Sequence, residues 1–184
     1  MPLLHSTMVP LGTKAMDFNL PGVDSKEYSL ASFSNNPVLA IIFMCNHCPY
    51  VKAVIEDIVN DCKSLEKDGL KSLAIMSNDT KNYPEDSFEN MISFSKKHRF
   101  EFPYLIDENQ EVAKKYGAVC TPDFFGYNSK LELQYRGRIR ELKDLKPIKD
   151  SESDLLKAMR LVIETGKGPK DQIPSMGCNI KWVK

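Results

Sequence analysis

The chain has 184 residues, with 25 Lys and Arg against 25 Asp and Glu, so it is formally neutral. That length supports one domain with a sizeable core, and the charge balance leaves no basic excess for nucleic acid or an anionic lipid surface. Its longest apolar run, Val38 to Cys45, is far too short to span a bilayer, and the N-terminus lacks the basic and long apolar regions of a secretory leader.

The elements follow in a regular order. Turn signals at Pro21-Gly22 and Asp24-Ser25, set between short apolar stretches, predict a hairpin-like N-terminal extension over 13–33. The apolar run at 38–44 reads as a strand buried on both faces. A helix over 49–67 is expected next, because Val51, Val54, Ile55, Ile58, Val59, Cys62 and Leu65 share one helical face. Pro49 is tolerated in a first helical turn, where its missing N–H has no intrahelical acceptor. A second buried strand (70–77), a polar loop (78–83) and a helix from Pro84 to His98 follow. A short strand (103–106), a short helix (109–116), a strand pair (124–127 and 131–135) and a last helix (151–165) complete the body. The lysine-bearing stretch 143–149 reads as a solvated loop, and the tail, 166–184, as a mobile segment or, alternatively, one packed by Ile180 and Trp182 with the Cys178 sulfur idle. The sequence β-α-β-α-β-α-β-β-α is an α/β layered pattern in a single domain, with its core at about 10–165. A parallel core closed by an antiparallel hairpin and a last helix is the plan of a thioredoxin fold with an N-terminal hairpin extension and an inserted helix.

The chemistry concentrates at Cys45-Asn46-His47-Cys48. A strand that delivers a Cys-x-x-Cys pair into the first turn of a helix is a redox arrangement more often than a metal site. A structural zinc knuckle needs a second paired set of ligands, and Cys120 and Cys178 stand alone in sequence. Free N–H groups and the positive dipole end at a helix start favour a thiolate. Cys45 is therefore expected to be an exposed, acidified attacking sulfur, and Cys48, one turn in, to resolve the mixed disulfide. His47 adds a cation that pushes the same way. Five cysteines are too few for a disulfide scaffold, which fits a cytoplasmic protein.

The chain resembles the thioredoxin superfamily, and within it the redoxin branch that includes the alkyl hydroperoxide reductase/thiol-specific antioxidant, or peroxiredoxin-like, proteins. The resemblance covers roughly residues 10–165. It rests on Gly12-Thr13-Lys14-Ala15-Met16-Asp17-Phe18-Asn19-Leu20, on the stretch from Asp107 to Gly117, and on Thr121-Pro122. The Cys45–Tyr50 segment combined with Gly177-Cys178-Asn179-Ile180-Lys181-Trp182 is similar to a bacterial subgroup of redoxins. The resemblance implies a cis peptide at Thr121-Pro122 facing the cysteine pair, with the Thr121 backbone positioning a substrate strand. Three departures stand out. Met44 and Asn46-His47 replace the tryptophan and Gly-Pro of thioredoxin proper. Leu39 occupies the position of its buried acid. The peroxidase pattern Pro-x-x-x-Thr-x-x-Cys is missing before either cysteine.

These features point to a thiol–disulfide oxidoreductase working through Cys45, Cys48 and His47, with Thr121 and Pro122 binding substrate. Its expected partners are protein or small-molecule disulfides and thiols and a reductase or other thiol donor, and no cofactor or resident metal is expected. Two alternatives are a thiol peroxidase with antioxidant activity and a soft-metal binding module built on Cys45, Cys48 and His47. Cys62, on the apolar helix face, reads as inert; Cys120 and Cys178 are candidate accessory thiols, the latter on a mobile, exposed tail. His5 and His98 read as surface residues.

Overall fold

The computed structural model describes residues 2–35 and 38–184. In chain order its regular elements are β1 (Leu3–His5), a hairpin of β2 (Asn19–Pro21) and β3 (Glu27–Ser29), β4 (Val38–Phe43), α1 (Pro49–Lys67) and β5 (Leu70–Met76). Then come α2 (Phe88–Lys97), β6 (Tyr104–Ile106), α3 (Glu111–Tyr116), β7 (Cys120–Thr121), β8 (Asp123–Tyr127) and β9 (Leu133–Gly137). A small hairpin of β10 (Leu142–Lys143) and β11 (Lys146–Pro147), then α4 (Asp154–Thr165) and β12 (Met176–Asn179), end the chain.

The central sheet has the order β6-β5-β4-β8-β9. β4, β5 and β6 run parallel, and β8 and β9 are antiparallel additions. β4 is buried along its whole length, and its pleat divides the molecule. Ala40, Ile42 and Met44 face one core with Val54, Ile58 and Leu65 of α1 and Leu155, Met159 and Val162 of α4. Leu39, Ile41 and Phe43 face the other, with Phe18, Leu20, Val112 and Tyr116. Helices on both faces of a mixed sheet, with the N-terminal hairpin packed against the second, define the thioredoxin fold.

The structure corrects three expectations. The helix at 84–98 is split: Pro84–Asp86 forms a 3₁₀ turn, and Ser87, in extended conformation, starts α2 by accepting a hydrogen bond from the Asn90 N–H. The cause is local, since a Ser hydroxyl at the cap competes with continuation of the helix. The stretch 143–149 is mostly exposed, as expected, but it is not a plain loop, because part of it forms the β10–β11 hairpin. The tail is no solvated appendage either. β12 is the middle strand of a second sheet, β1-β12-β7, and Cys178 is buried.

One buried ion pair fixes the strand that carries Pro122. Arg136 on β9 hydrogen-bonds Asp123 on β8, and both side chains are fully buried. The guanidinium also lies 3.6 Å over the Phe125 ring. Removing one partner strands the other charge in the core. Asp123→Ala is therefore expected to lose about 3–5 kcal/mol in urea unfolding. A loss below about 1 kcal/mol, the range of surface pairs, would contradict this role.

Candidate active site

β4 ends at Phe43 and α1 begins at Pro49, so the four residues from Cys45 to Cys48 bridge the C-terminal end of the central strand and the start of a 19-residue helix. Asn46 anchors the bridge: its N–H donates to Asp86 Oδ1 (2.8 Å), its amide donates to the Glu85 carbonyl (3.1 Å), and its Oδ1 accepts from the Tyr104 hydroxyl (2.9 Å). Opposite stands Thr121-Pro122, whose peptide bond is cis. The Thr121 hydroxyl lies 3.6 Å from the Cys45 sulfur, and the Thr121 carbonyl oxygen lies 3.3 Å from the Cys48 sulfur.

All five cysteines carry free thiols and all are buried. Cys45 is 1% exposed and Cys48 is 0% exposed, which overturns the expectation of an open attacking sulfur. The cause is the covering: Thr121 sits against both sulfurs, and β12 lies along Thr121 with Cys178 opposite it.

The charge also sits differently from the sequence-based expectation. A hydrogen bond from Cys45 to Cys48 pushes the Cys45 thiol well up, and burial and the Asp86 carboxylate push it further. The same bond pulls the Cys48 thiol down, aided by Cys178, Thr121 and the Val51 N–H, against burial. In the structure the Cys48 thiol donates to the Thr121 carbonyl oxygen at 3.3 Å, a bond that ionisation of Cys48 gives up. Cys48 is the N-cap residue of α1 and makes no side-chain capping hydrogen bond, so the helix start acts on it through its dipole end. The pair thus behaves as one unit that releases its first proton readily and holds the second on Cys45.

His47, half-buried, pairs with the fully buried Asp86. His47 Nδ1 and Asp86 Oδ2 are 2.6 Å apart, and Asn78 donates to the same oxygen at 2.8 Å. The bond to Asp86 raises the His47 pKa against the cost of burial. Burial works to raise the Asp86 carboxyl, but hydrogen bonds from His47 and Asn78 hold it below its usual value. His47 stacks on Tyr83, with ring centroids 5.8 Å apart, and borders an open groove beside Lys52, Glu85, Phe94 and His98. The expected cation beside the thiols is therefore present but largely neutralised by an acid. Cys45, His47 and Asp86 offer ligand atoms all within 4.8 Å of one another. Both Asp86 oxygens and His47 Nδ1 are already engaged in hydrogen bonds.

Asp86, Asn78 and Tyr104 were not legible as site residues. Asp86 lies 40 residues from Asn46 in sequence and reads locally as an ordinary acid near a helix start. Of the remaining candidates, Cys62 is buried on α1, with burial pushing its thiol up to about 12. Cys120 lies on β7 opposite Asn179, and burial pushes its thiol up too. His5 is exposed; His98 is half-buried between Phe94 and Phe100.

A Cys-x-x-Cys at the β4–α1 junction facing a cis-proline, inside this sheet, defines a thioredoxin-fold protein. Residues 11–142 match the AhpC/TSA family, and the chain belongs to it. That membership places it among thiol-based redox enzymes. An uncharacterized conserved protein from Geobacillus kaustophilus is 39% identical, with 100% of this chain and 97% of that one covered and a TM-score of 0.94. A hypothetical protein from Sinorhizobium meliloti 1021 is 37% identical over 97% of this chain and 98% of that one, with a TM-score of 0.91. A putative thiol:disulfide interchange protein from Chlorobium tepidum shares the fold at 16% identity and a TM-score of 0.63, covering 85% of this chain and 99% of that one. No curated protein matches the chain. Among the described residues no helix is long and apolar enough to cross a membrane.

The His47–Asp86 pair sets a pH dependence. His47, raised in the folded chain, contributes stability below about pH 6.5 and loses it as pH rises through its folded value. Asp86, depressed, contributes above about pH 4 and loses it as pH falls through its folded value. The Tm difference between wild type and His47→Gln is expected to be largest at about pH 5–6 and to shrink toward pH 9. A difference that grows above neutrality would contradict the pairing.

Proposed function

We propose that the protein is a thiol–disulfide oxidoreductase whose redox couple is Cys45 and Cys48. The observation that carries the reading is the placement of the two sulfurs, three residues apart at the β4–α1 junction, against the cis Thr121-Pro122 bond, with the Thr121 hydroxyl 3.6 Å from Cys45 and its carbonyl oxygen 3.3 Å from Cys48. Such a pair supplies both groups that exchange needs, a nucleophile and its base. The Cys45 sulfur attacks a substrate disulfide as its proton passes to Cys48. One substrate sulfur leaves and takes that proton, and a mixed disulfide remains on Cys45. The Cys48 thiolate then attacks the Cys45 sulfur, the Cys45–Cys48 bond forms, and the second substrate sulfur departs. Two thiols are oxidised and one disulfide is reduced. Asp86 and Asn46 hold the bridge in register, and the His47–Asp86 pair limits the net positive charge near the sulfurs. Thr121 and Pro122 are proposed to position the substrate. Its partners are disulfides and thiols, with a thiol donor closing the cycle. No cofactor enters the scheme.

The family match favours a second reading, a thiol peroxidase. In it Cys45 takes one oxygen from a peroxide to become a sulfenic acid, and Cys48 displaces water to give the same disulfide. A metal site on Cys45, His47 and Asp86 ranks below both, because each carboxylate oxygen of Asp86 would have to give up a hydrogen bond.

Cys45→Ser is expected to reduce turnover of a disulfide substrate by at least about 100-fold, and Cys48→Ser to accumulate a mixed disulfide on Cys45. Activity retained in Cys45→Ser would refute the assignment. Stopped-flow mixing of the reduced protein with hydrogen peroxide separates the two readings: consumption no faster than that by free cysteine excludes the peroxidase.

A further inference from the structure

The edge at Thr121 is occupied by the chain itself. β12 pairs antiparallel with β7, with Cys178 opposite Thr121 and Asn179 opposite Cys120. The contacts continue on both sides: the Ile180 N–H donates to the Val119 carbonyl (2.9 Å), and the Ser175 hydroxyl donates to the Pro122 carbonyl (2.6 Å). Gly177 permits this approach, since a Cβ there would lie 1.9 Å from the Thr121 carbonyl oxygen. β1 closes the outer edge of β12, with Leu3 opposite Cys178. The strand thereby sets Cys178 opposite Thr121, whose carbonyl oxygen lies 3.3 Å from the Cys48 sulfur, and both cysteines belong to one buried cluster.

We propose that β12 is an internal substrate strand, docked on the Thr121 edge, and that Cys178 is a third catalytic thiol that exchanges with the Cys45–Cys48 disulfide at Cys48. This rests on the redox reading above and assigns to it the kind of substrate the edge accepts: an extended peptide segment with a small residue before its cysteine.

The step balances without an added oxidant. Starting from the Cys45–Cys48 disulfide, the Cys178 thiol gives up its proton and its sulfur attacks Cys48 Sγ. The Cys45–Cys48 bond breaks as the Cys48–Cys178 bond forms, and Cys45 leaves as a thiolate that takes up the proton. The protein stays oxidised by two electrons throughout. Both cysteines belong to one chain and flank the same Thr121, so the exchange runs at high effective concentration. Burial, followed by the Cys48 sulfur, suppresses ionisation of Cys178 in the reduced protein. Once Cys48 is in a disulfide, that second restraint is gone. An external substrate strand can reach Thr121 only when β12 lifts away, which accounts for a redox pair with almost no exposed surface.

The test equilibrates the full-length protein with a mixture of reduced and oxidised glutathione, then maps its bridges by non-reducing peptide mass spectrometry. Wild type is expected to hold a Cys48–Cys178 bridge alongside Cys45–Cys48, and Cys178→Ser only the latter. Cys45–Cys48 alone in wild type overturns the proposal and leaves the redox reading standing. Cys48–Cys178 without any Cys45–Cys48, in wild type and at every glutathione ratio, removes the redox reading and leaves the strand contact. Gly177→Val, with its fold checked by circular dichroism, is expected to be alkylated at Cys45 by iodoacetamide at least about tenfold faster than wild type. An unchanged rate in the folded variant overturns the docking, and if that variant does not fold, the wild-type and Cys178→Ser maps decide the case.

Discussion

The juxtaposition of the Cys45 and Cys48 sulfurs against Thr121 is the constraint on which the site depends. Two thiols in a dry interior cannot both ionise, because burial and mutual repulsion forbid it. One charge becomes affordable only when donors converge on a single sulfur. The fold sets the neighbours that pull the Cys48 thiol down: Cys45 from the end of β4, the first turn of α1, and Cys178 from β12. Each comes from a different element, so the charge on Cys48 reports whether the central sheet, the helix and the tail are all assembled. Asp86 adds a constraint of opposite sign, disfavouring charge on Cys45 while holding the bridge through the Asn46 N–H.

Much of this was legible because it is local or periodic. The helical spacing of Val51, Val54, Ile55, Ile58, Cys62 and Leu65 predicts α1, and the observed helix spans the expected 49–67. The two-residue alternation of β4 divides its side chains between two cores, so the buried run is read correctly without knowledge of its neighbours. The resemblance at Thr121-Pro122 implied the cis bond that the structure contains. What escaped is non-local. Asp86 reaches the site across 40 residues, and nothing around Pro84-Glu85-Asp86 distinguishes a buried acid from a solvated one. The tail misled for a related reason. Its Pro, Gly and Lys content reads as mobile, yet Gly177 serves close approach to Thr121 rather than flexibility, and Lys181 is held by Asn179.

The second sheet changes how the fold is used. In the five-stranded sheet every element supports packing of the two cores. β1, β12 and β7 cover the sulfurs instead, tying the first and last segments of the chain over the active face. The exposed nucleophile expected from the motif becomes a guarded one, and the guard itself carries a thiol. The second sheet draws on β1 and β12, both outside residues 11–142, so the cover over the sulfurs depends on the ends of the chain.

The central claim is that Cys45 and Cys48 share one proton. Thiolate absorbance near 240 nm, followed against pH in the reduced protein, measures it directly. The account predicts a step worth one thiolate with a midpoint well below the ~8.5 of a free cysteine. The step vanishes in Cys48→Ala and moves upward in Cys45→Ala, where the donor is gone. A wild-type curve without a step below ~8.5, or one unmoved by Cys45→Ala, would contradict it.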